Sequence, residues 1–220
     1  MPKTFLAIET STRQMGVALL DEQGVRSAYE LLADYPHAVE LPDAVRRVLK
    51  AGGSTLEQVE AVIIDIGPGS FTGLRIGLAF AKALAFPARK PLVGVASLDL
   101  LAAGLAFSPR LICPILDARQ GNVYAALYRA EAGAATRQAE YWLGPVDEIL
   151  ARCPQPQFAA QDLWWPRAAT LGRLGRDRFF AGQRDDPAKL LPLYLYPLDC
   201  SVRGPDRPTS VLPTKIVQAA

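Results

Sequence analysis

The sequence predicts an α/β fold made of two related halves, and three observations carry that expectation. Apolar runs of strand length alternate with segments whose apolar residues recur at helical spacing. A β-branched strand, a glycine-rich turn and a long apolar helix follow one another over 59–86. One layout occurs twice, at 8–20 (IETSTRQMGVALL) and 116–128 (LDARQGNVYAALY): an apolar strand ending in a carboxylate (Glu9, Asp117), a short polar turn, then a return strand. Such a repeat fits duplicated halves, although short patterns of this kind also arise by chance.

The elements follow in order. Residues 4–8 and 15–20 read as strands joined by a polar turn, and 25–32 as a third strand. Leu41, Val45, Val48 and Leu49 give a helix over 37–51 that Gly52-Gly53 stop. Pro42 lies inside it, so the helix either begins there or kinks. Ser54 or Thr55 can cap a short turn, 59–66 is a strand, and 71–86 a helix. The strand 92–95 and a helix from Ser97 to about 106 complete a first subdomain, 1–106. A second, 107–196, begins with the strand pair LICPIL (111–116) and NVYAALY (122–128). It continues with a strand at 141–143 and a helix over 166–180, where Gly172 and Gly175 weaken the pattern. The proline-rich tail 197–220 reads as extended or disordered.

Composition excludes several function classes. Half of the 220 residues are hydrophobic and 21% charged, with a net charge of +2, too weak to argue for nucleic-acid binding through bulk charge. His37 is the single histidine, which rules out HExxH and any two-histidine zinc site within this sequence. Cys113, Cys153 and Cys200 are widely spaced, with no CxxC, which fits a reducing compartment. No signal peptide is legible, and the longest uncharged stretch, 100–109, is far short of a membrane span, so a cytoplasmic protein is expected.

The sharpest local signal is GPGSFTGLRIG at 67–77, which follows a strand and opens a helix. Phosphate-cradling loops occupy such positions. The spacing nevertheless fails both the Walker A pattern and the dinucleotide fingerprint, which favours a tight turn with an N-cap from Ser70 or Thr72. Over 71–86 the only charged residues are Arg75 and Lys82, seven apart. Gly73, Gly77, Ala81 and Ala85 recur every four residues, a smooth face that another helix can approach. The helix is therefore either sandwiched inside its own domain or covered by a protein partner, and the apolar outer face favours the partner. The carboxylate-free stretch 66–98, with Arg75, Lys82, Arg89 and Lys90, suits an acidic or phosphate-bearing neighbour. Glu9, Asp65 and Asp117 end strands, either as acids or magnesium ligands of a cleft or as turn caps. His37 reads as a general base or, more commonly for a lone histidine before a helix, a surface or capping residue. Trp164-Trp165 is a core anchor or an interface patch, and Arg119 and Gln120 belong to the turn beside Asp117.

LAIETST (6–12), GPGSFTGLRIG (67–77), ILDARQGNVYAALY (115–128) and LLPLYL (190–195) together resemble the TsaB (YeaZ) family, over about residues 4 to 196. The resemblance implies the actin/Hsp70/sugar-kinase-like (ASKHA) fold, with duplicated ribonuclease-H-like halves. It implies a subunit of the bacterial machinery that makes N6-threonylcarbamoyladenosine at position 37 of tRNAs reading codons that begin with adenine. The expected partners are the catalytic subunit TsaD, the ATPase TsaE and, without TsaD, a second copy. The tRNA is reached indirectly, and a separate enzyme supplies threonylcarbamoyl-adenylate. TsaD holds a metal through two histidines on one helix; here the corresponding region carries only His37, which implies a non-catalytic partner without a catalytic residue or metal of its own. The implied interface is formed by helices 38–51 and 72–86, through His37, Leu41, Val45, Gly69, Phe71, Thr72, Gly73, Arg75, Ile76, Gly77, Phe80 and Ala81. No cofactor is expected to bind tightly; ATP or ADP with magnesium at the partner interface would use Glu9, Ser11, Thr12 and Asp117. The chain departs from the family in three places: Glu9 stands for the usual Asp, His37-Ala38-Val39 for His-Ser-Glu, and the tail after 197 is unfamiliar. The competing readings are an ATP-dependent small-molecule kinase or ATPase of the same fold, and a metallopeptidase.

Overall fold

Alternation along the first strand already dictates three layers. In TFLAIE, Leu6 and Ile8 point to one side of the sheet and Phe5 and Ala7 to the other, and all are apolar, so both faces must be covered. The computed structural model describes residues 2–32, 37–107, 109–152 and 165–196. The chain divides into two compact units: Met1–Leu100 with Trp165–Leu193, and Leu101–Trp164 with Tyr194–Ala220.

The first unit is a five-stranded sheet in the order β3-β2-β1-β4-β5. Strands β1 (Thr4–Glu9), β2 (Gln14–Leu20) and β3 (Val25–Leu32) form an antiparallel meander. Strands β4 (Val59–Gly67) and β5 (Leu92–Ala96) continue the sheet in parallel beyond β1. Helices α1 (His37–Ala51) and α2 (Phe71–Ala85) cover one face. There Leu41, Val45, Val48, Leu78 and Ala81 pack with Leu6, Ile8, Val17, Val62 and Ile64. Helix α1 runs through Pro42, whose missing N–H removes the bond to the Ala38 carbonyl. A 3-10 turn at Leu56–Gln58 leads into β4, and Gln58 Oε1 accepts from Thr55 N at 3.0 Å.

Helix α5 (Ala168–Phe180) covers the opposite face, where Ala168, Leu171 and Phe179 pack with Phe5, Ala7, Ala18, Ala61 and Ile63. Phe5 and Phe179 meet edge to face with centroids 5.2 Å apart. The weak helical pattern at Gly172 and Gly175 has a packing cause. A Cβ on either would collide with Leu20 or Ile63, so these glycines let the helix lie directly on the sheet. This packing also explains why the units divide differently from the sequence boundary at 106. The segment 168–180, assigned there to the 107–196 half, completes the first core instead. Helix α3 (Ser97–Gly104) follows β5, shorter than the sequence reading to 106.

The second unit holds two three-stranded antiparallel sheets, β10-β9-β6 and β11-β8-β7. The apolar run 111–116 is not one strand. It breaks at Cys113-Pro114 into β6 (Arg110–Ile112) and β7 (Ile115–Arg119), because Pro114 has no N–H for a ladder. The run 122–128 breaks correspondingly into β8 (Asn122–Ala125) and β9 (Tyr128–Glu131). The strand read at 141–143 is β11 (Trp142–Pro145). Strand β10 (Ala134–Arg137) and helix α4 (Val146–Arg152) were not legible in the sequence. Val123, Ala125 and Ile149 form a small core with Ile115 and Trp142. The two hairpins are present as β1–β2 and β7–β8; Glu9 ends β1, whereas β7 runs two residues past Asp117 to Arg119. Trp165 is half-buried, whereas Trp164, Cys153, Cys200 and the tail 197–220 lie outside the described residues. No helix among the described residues is long and apolar enough to cross a membrane.

Candidate functional site

Strands β1 and β4 are parallel neighbours in which Ile8 pairs with Ile64, so the next residue on each puts Glu9, the last of β1, beside Asp65, two residues before the end of β4. Both carboxyl groups are fully buried. Glu9 Oε1 accepts from Ser11 N and from Ser11 Oγ, both at 2.6 Å. Asp65 Oδ1 accepts from Gly67 N at 2.7 Å and from Ser97 Oγ at 2.7 Å. Their other oxygens, Glu9 Oε2 and Asp65 Oδ2, receive no hydrogen bond from a donor. Burial and then the Asp65 charge raise Glu9 well above the ordinary carboxylate range. Burial pushes Asp65 up to about 6, against the bonds from Gly67 and Ser97.

The turn after Glu9 is the seat of α2. Thr10 Oγ1 donates to Gly73 O at 2.9 Å, and Ser70 N donates to Ser11 O at 2.6 Å. Ser70 is the N-cap, its hydroxyl accepting from Gly73 N at 3.2 Å; Thr72 is not. A Cβ on Gly69 or Gly73 would strike the carbonyl oxygens of Ser11 and Thr10, and one on Gly77 the Thr10 hydroxyl. The smooth glycine stripe therefore meets its own chain. Gly73, Gly77, Ala81, Leu41 and Val45 are buried in the first unit, which corrects their assignment as partner contacts. His37 also turns inward: its Nε2, 2.8 Å from the Thr12 carbonyl, donates to it and is committed to the same turn.

What α1 and α2 present outward is a different set. Val39, Phe71 and Phe86 are 70%, 57% and 68% exposed. Thr72, Arg75, Ala79 and Ala83 are exposed, and Ile76 and Phe80 half-buried. The Arg75 guanidinium lies 5.0 Å from the Phe71 ring centroid.

Asp117 belongs to the second unit and is exposed. Its Oδ1 accepts from Arg119 N at 2.7 Å and its Oδ2 pairs with Arg119 Nη1 at 3.4 Å. Arg119, Gln120 and Gly121 all have positive φ, which makes this a tight left-handed turn.

The residues proposed for nucleotide and magnesium do not fit those groups. Magnesium takes six oxygen ligands and keeps several waters. The described residues contain no cluster of three or more metal-ligating side chains, and Glu9 and Asp65 are sealed from water. Ser11 directs its N–H and its hydroxyl to Glu9, Thr12 O is held by His37, and the glycine turn is filled by the chain's own carbonyls. Thr10, Asp65, Ser97 and Gly67 share this site. Sequence reasoning weighed Asp65 as an acid, placed Gly67 only in the glycine-rich turn and Ser97 only at a helix start, and missed Thr10; Gly67 closes β4 and Ser97 follows directly on β5.

A family model described as "TsaD: tRNA N6-adenosine threonylcarbamoyltransferase" matches residues 31–186. The Bacillus subtilis "tRNA threonylcarbamoyladenosine biosynthesis protein TsaB" is 39% identical over 130 residues, 59% of this chain and 57% of that protein. The solved structure of YeaZ from Pseudomonas aeruginosa superposes with a TM-score of 0.77 at 27% identity, covering 88% of this chain and 100% of that one. The chain belongs to the TsaD family, on its TsaB (YeaZ) branch. An uncharacterized protein of Mycobacterium tuberculosis is 31% identical over 205 residues, 87% of this chain and 91% of that protein. The chain spans about half the length of the named TsaB relatives it matches. The YeaZ fold is the α/β, ASKHA-like architecture expected from the sequence.

Proposed function

We propose that the chain is a non-catalytic subunit of the cytoplasmic machinery that places the threonylcarbamoyl group on N6 of adenosine 37, in tRNAs reading codons that begin with adenine. The observation that carries this reading is the outward face of α1 and α2. Val39, Phe71, Ala79, Ala83 and Phe86 are exposed on two helices whose inner faces are already filled. Exposed apolar surface of this kind marks a protein interface. The family supplies the occupant: TsaD, with TsaE joining the pair, or a second copy of this chain when TsaD is absent. The single histidine supports a supporting role, since two histidines on one helix cannot be built from this sequence. Nucleotide and magnesium are then held by the assembled complex and not by the Glu9–Ser11 turn, and tRNA is reached through the partner.

The test is reconstitution with TsaD, TsaE and threonylcarbamoyl-adenylate. Transfer to tRNA is expected with the chain present and not without it, and the chain alone transfers nothing. Gly77→Glu is a poor probe of docking because Gly77 is buried against Thr10. The exposed pair Ala79→Arg and Ala83→Glu is the informative variant. It should keep the wild-type unfolding temperature yet lose co-purification with TsaD. Full transfer and undiminished binding by that variant would remove the α2 face from the interface.

A further inference from the structure

The two orphaned oxygens of the buried pair ask for one atom. Glu9 ends β1 and Asp65 lies beside it near the end of the parallel strand β4, and each has one oxygen saturated by two donors of its own chain. Each has a second oxygen, fully buried, that no donor reaches. Carboxylate oxygens only accept, so the two unmatched oxygens can satisfy each other only if one of them carries a proton. Two unshielded negative charges at this separation in a sealed interior would also repel strongly.

We infer that Glu9 and Asp65 share a single proton, with Glu9 Oε2 donating to Asp65 Oδ2. The assignment completes the hydrogen-bond accounting. Glu9 Oε1 accepts from Ser11, Glu9 Oε2 donates to Asp65, and Asp65 Oδ1 accepts from Gly67 and Ser97, so no buried oxygen remains unmatched. The pair then works as a latch. It fixes Ser11, whose carbonyl holds Ser70 at the head of α2, and Gly67, which begins the turn into that helix. The other charge bearing on the pair is Glu30 of β3, which raises Glu9 further and is itself ion-paired with Arg167.

Amide variants test the proton directly, because an amide N–H can replace the shared O–H. Glu9→Gln should keep the fold, and its folding constant relative to wild type should rise about tenfold per pH unit between pH 6 and 8, since wild type must hold a proton that the unfolded chain releases. Asp65→Asn should do the same, its N–H donating to Glu9 Oε2. The double variant should be far less stable than either single one, because two amide N–H groups then face each other. At neutral pH an infrared band of a protonated carboxyl should be present in wild type and absent in Glu9→Gln. The inference is overturned if Glu9→Gln follows the wild-type pH dependence, if the double variant is as stable as the singles, or if wild type lacks the band. It is also overturned if magnesium raises the unfolding temperature of wild type but not of Glu9→Gln. Should Glu9→Gln fail to fold, the wild-type band and Asp65→Asn decide.

Discussion

The two hairpins with a carboxylate beside the turn share a layout and live in opposite environments. In β1–β2 the terminal carboxyl, Glu9, is sealed in the core beside a second acid and holds its turn through Ser11. In β7–β8 the carboxyl next to the turn, Asp117, is exposed and holds its turn through Arg119 N. Tyr196 adds a clasp on the second hairpin, donating to Ala118 O at 3.0 Å and accepting from Asn122 Nδ2 at 3.2 Å. The difference lies in what covers each turn. Helix α2 lies on the first, at the closest approach a glycine permits, and expels water from its acid. A strand-end carboxylate is therefore no guide to chemistry by itself; the element packed over it decides whether it is a surface cap or a buried acid.

Variants can break this contrast, beginning with the largest effect. Gly73→Val should cost about 3 kcal/mol or more, because its side chain meets the Thr10 carbonyl. Gly121→Ala, with open space around it and φ of +78°, should cost only about 1 kcal/mol. Chemical denaturation of the two measures the contrast; similar losses would mean that α2 does not depend on that approach. Next, Glu9→Ala should cost about 3 kcal/mol by leaving Ser11 and Asp65 unmatched in the core. Asp117→Ala, at an exposed turn, should cost less than about 1 kcal/mol. The third contrast is with pH. Both buried carboxyls bind protons more tightly folded than unfolded, so their contribution is complete below their ordinary values of 4.5 and 3.8 and declines as pH rises. The decline should be about 1.4 kcal/mol per pH unit for each proton retained, steepest up to about 6, where Asp65 titrates, and continuing above it for Glu9. Urea midpoints at a series of pH values read it. The smallest effect has the opposite sign: Gln120→Gly should stabilise by about 0.5 to 1 kcal/mol, since Gln120 sits at φ of +54°.

Much of the first unit was legible because its signals are local. Strands 4–9 and 59–67 are strongly apolar, and the cap at Ser70 and the stop at Gly52-Gly53 are chemical. The face of α2 was legible only in part. Small residues every four positions state that something comes close, not what it is, and Thr10 was an inconspicuous residue in a polar turn. Helix α5 escaped assignment to its unit because packing across distant sequence leaves no periodic trace, and its glycines weakened the pattern that they serve structurally. The broken strands at Cys113-Pro114 were readable from Pro114 alone, whereas the charges and glycine in 129–137 hid β10. The union of Glu9 with Asp65 needed the parallel register of β1 and β4, which no single segment contains.

The late arrival of α5 has a consequence for synthesis. Phe5, Ala7, Ala18 and Ile63 emerge from the ribosome early, yet the helix that shields them spans 168–180. Until that stretch is made, one side of a nearly complete sheet stays open to water and to other nascent chains. The whole of the second unit's hairpins must be translated during that interval. Chains released after α3 should therefore be captured by chaperones or aggregate, while those extended past Phe180 escape, a difference that ribosome-bound chains of graded length would display.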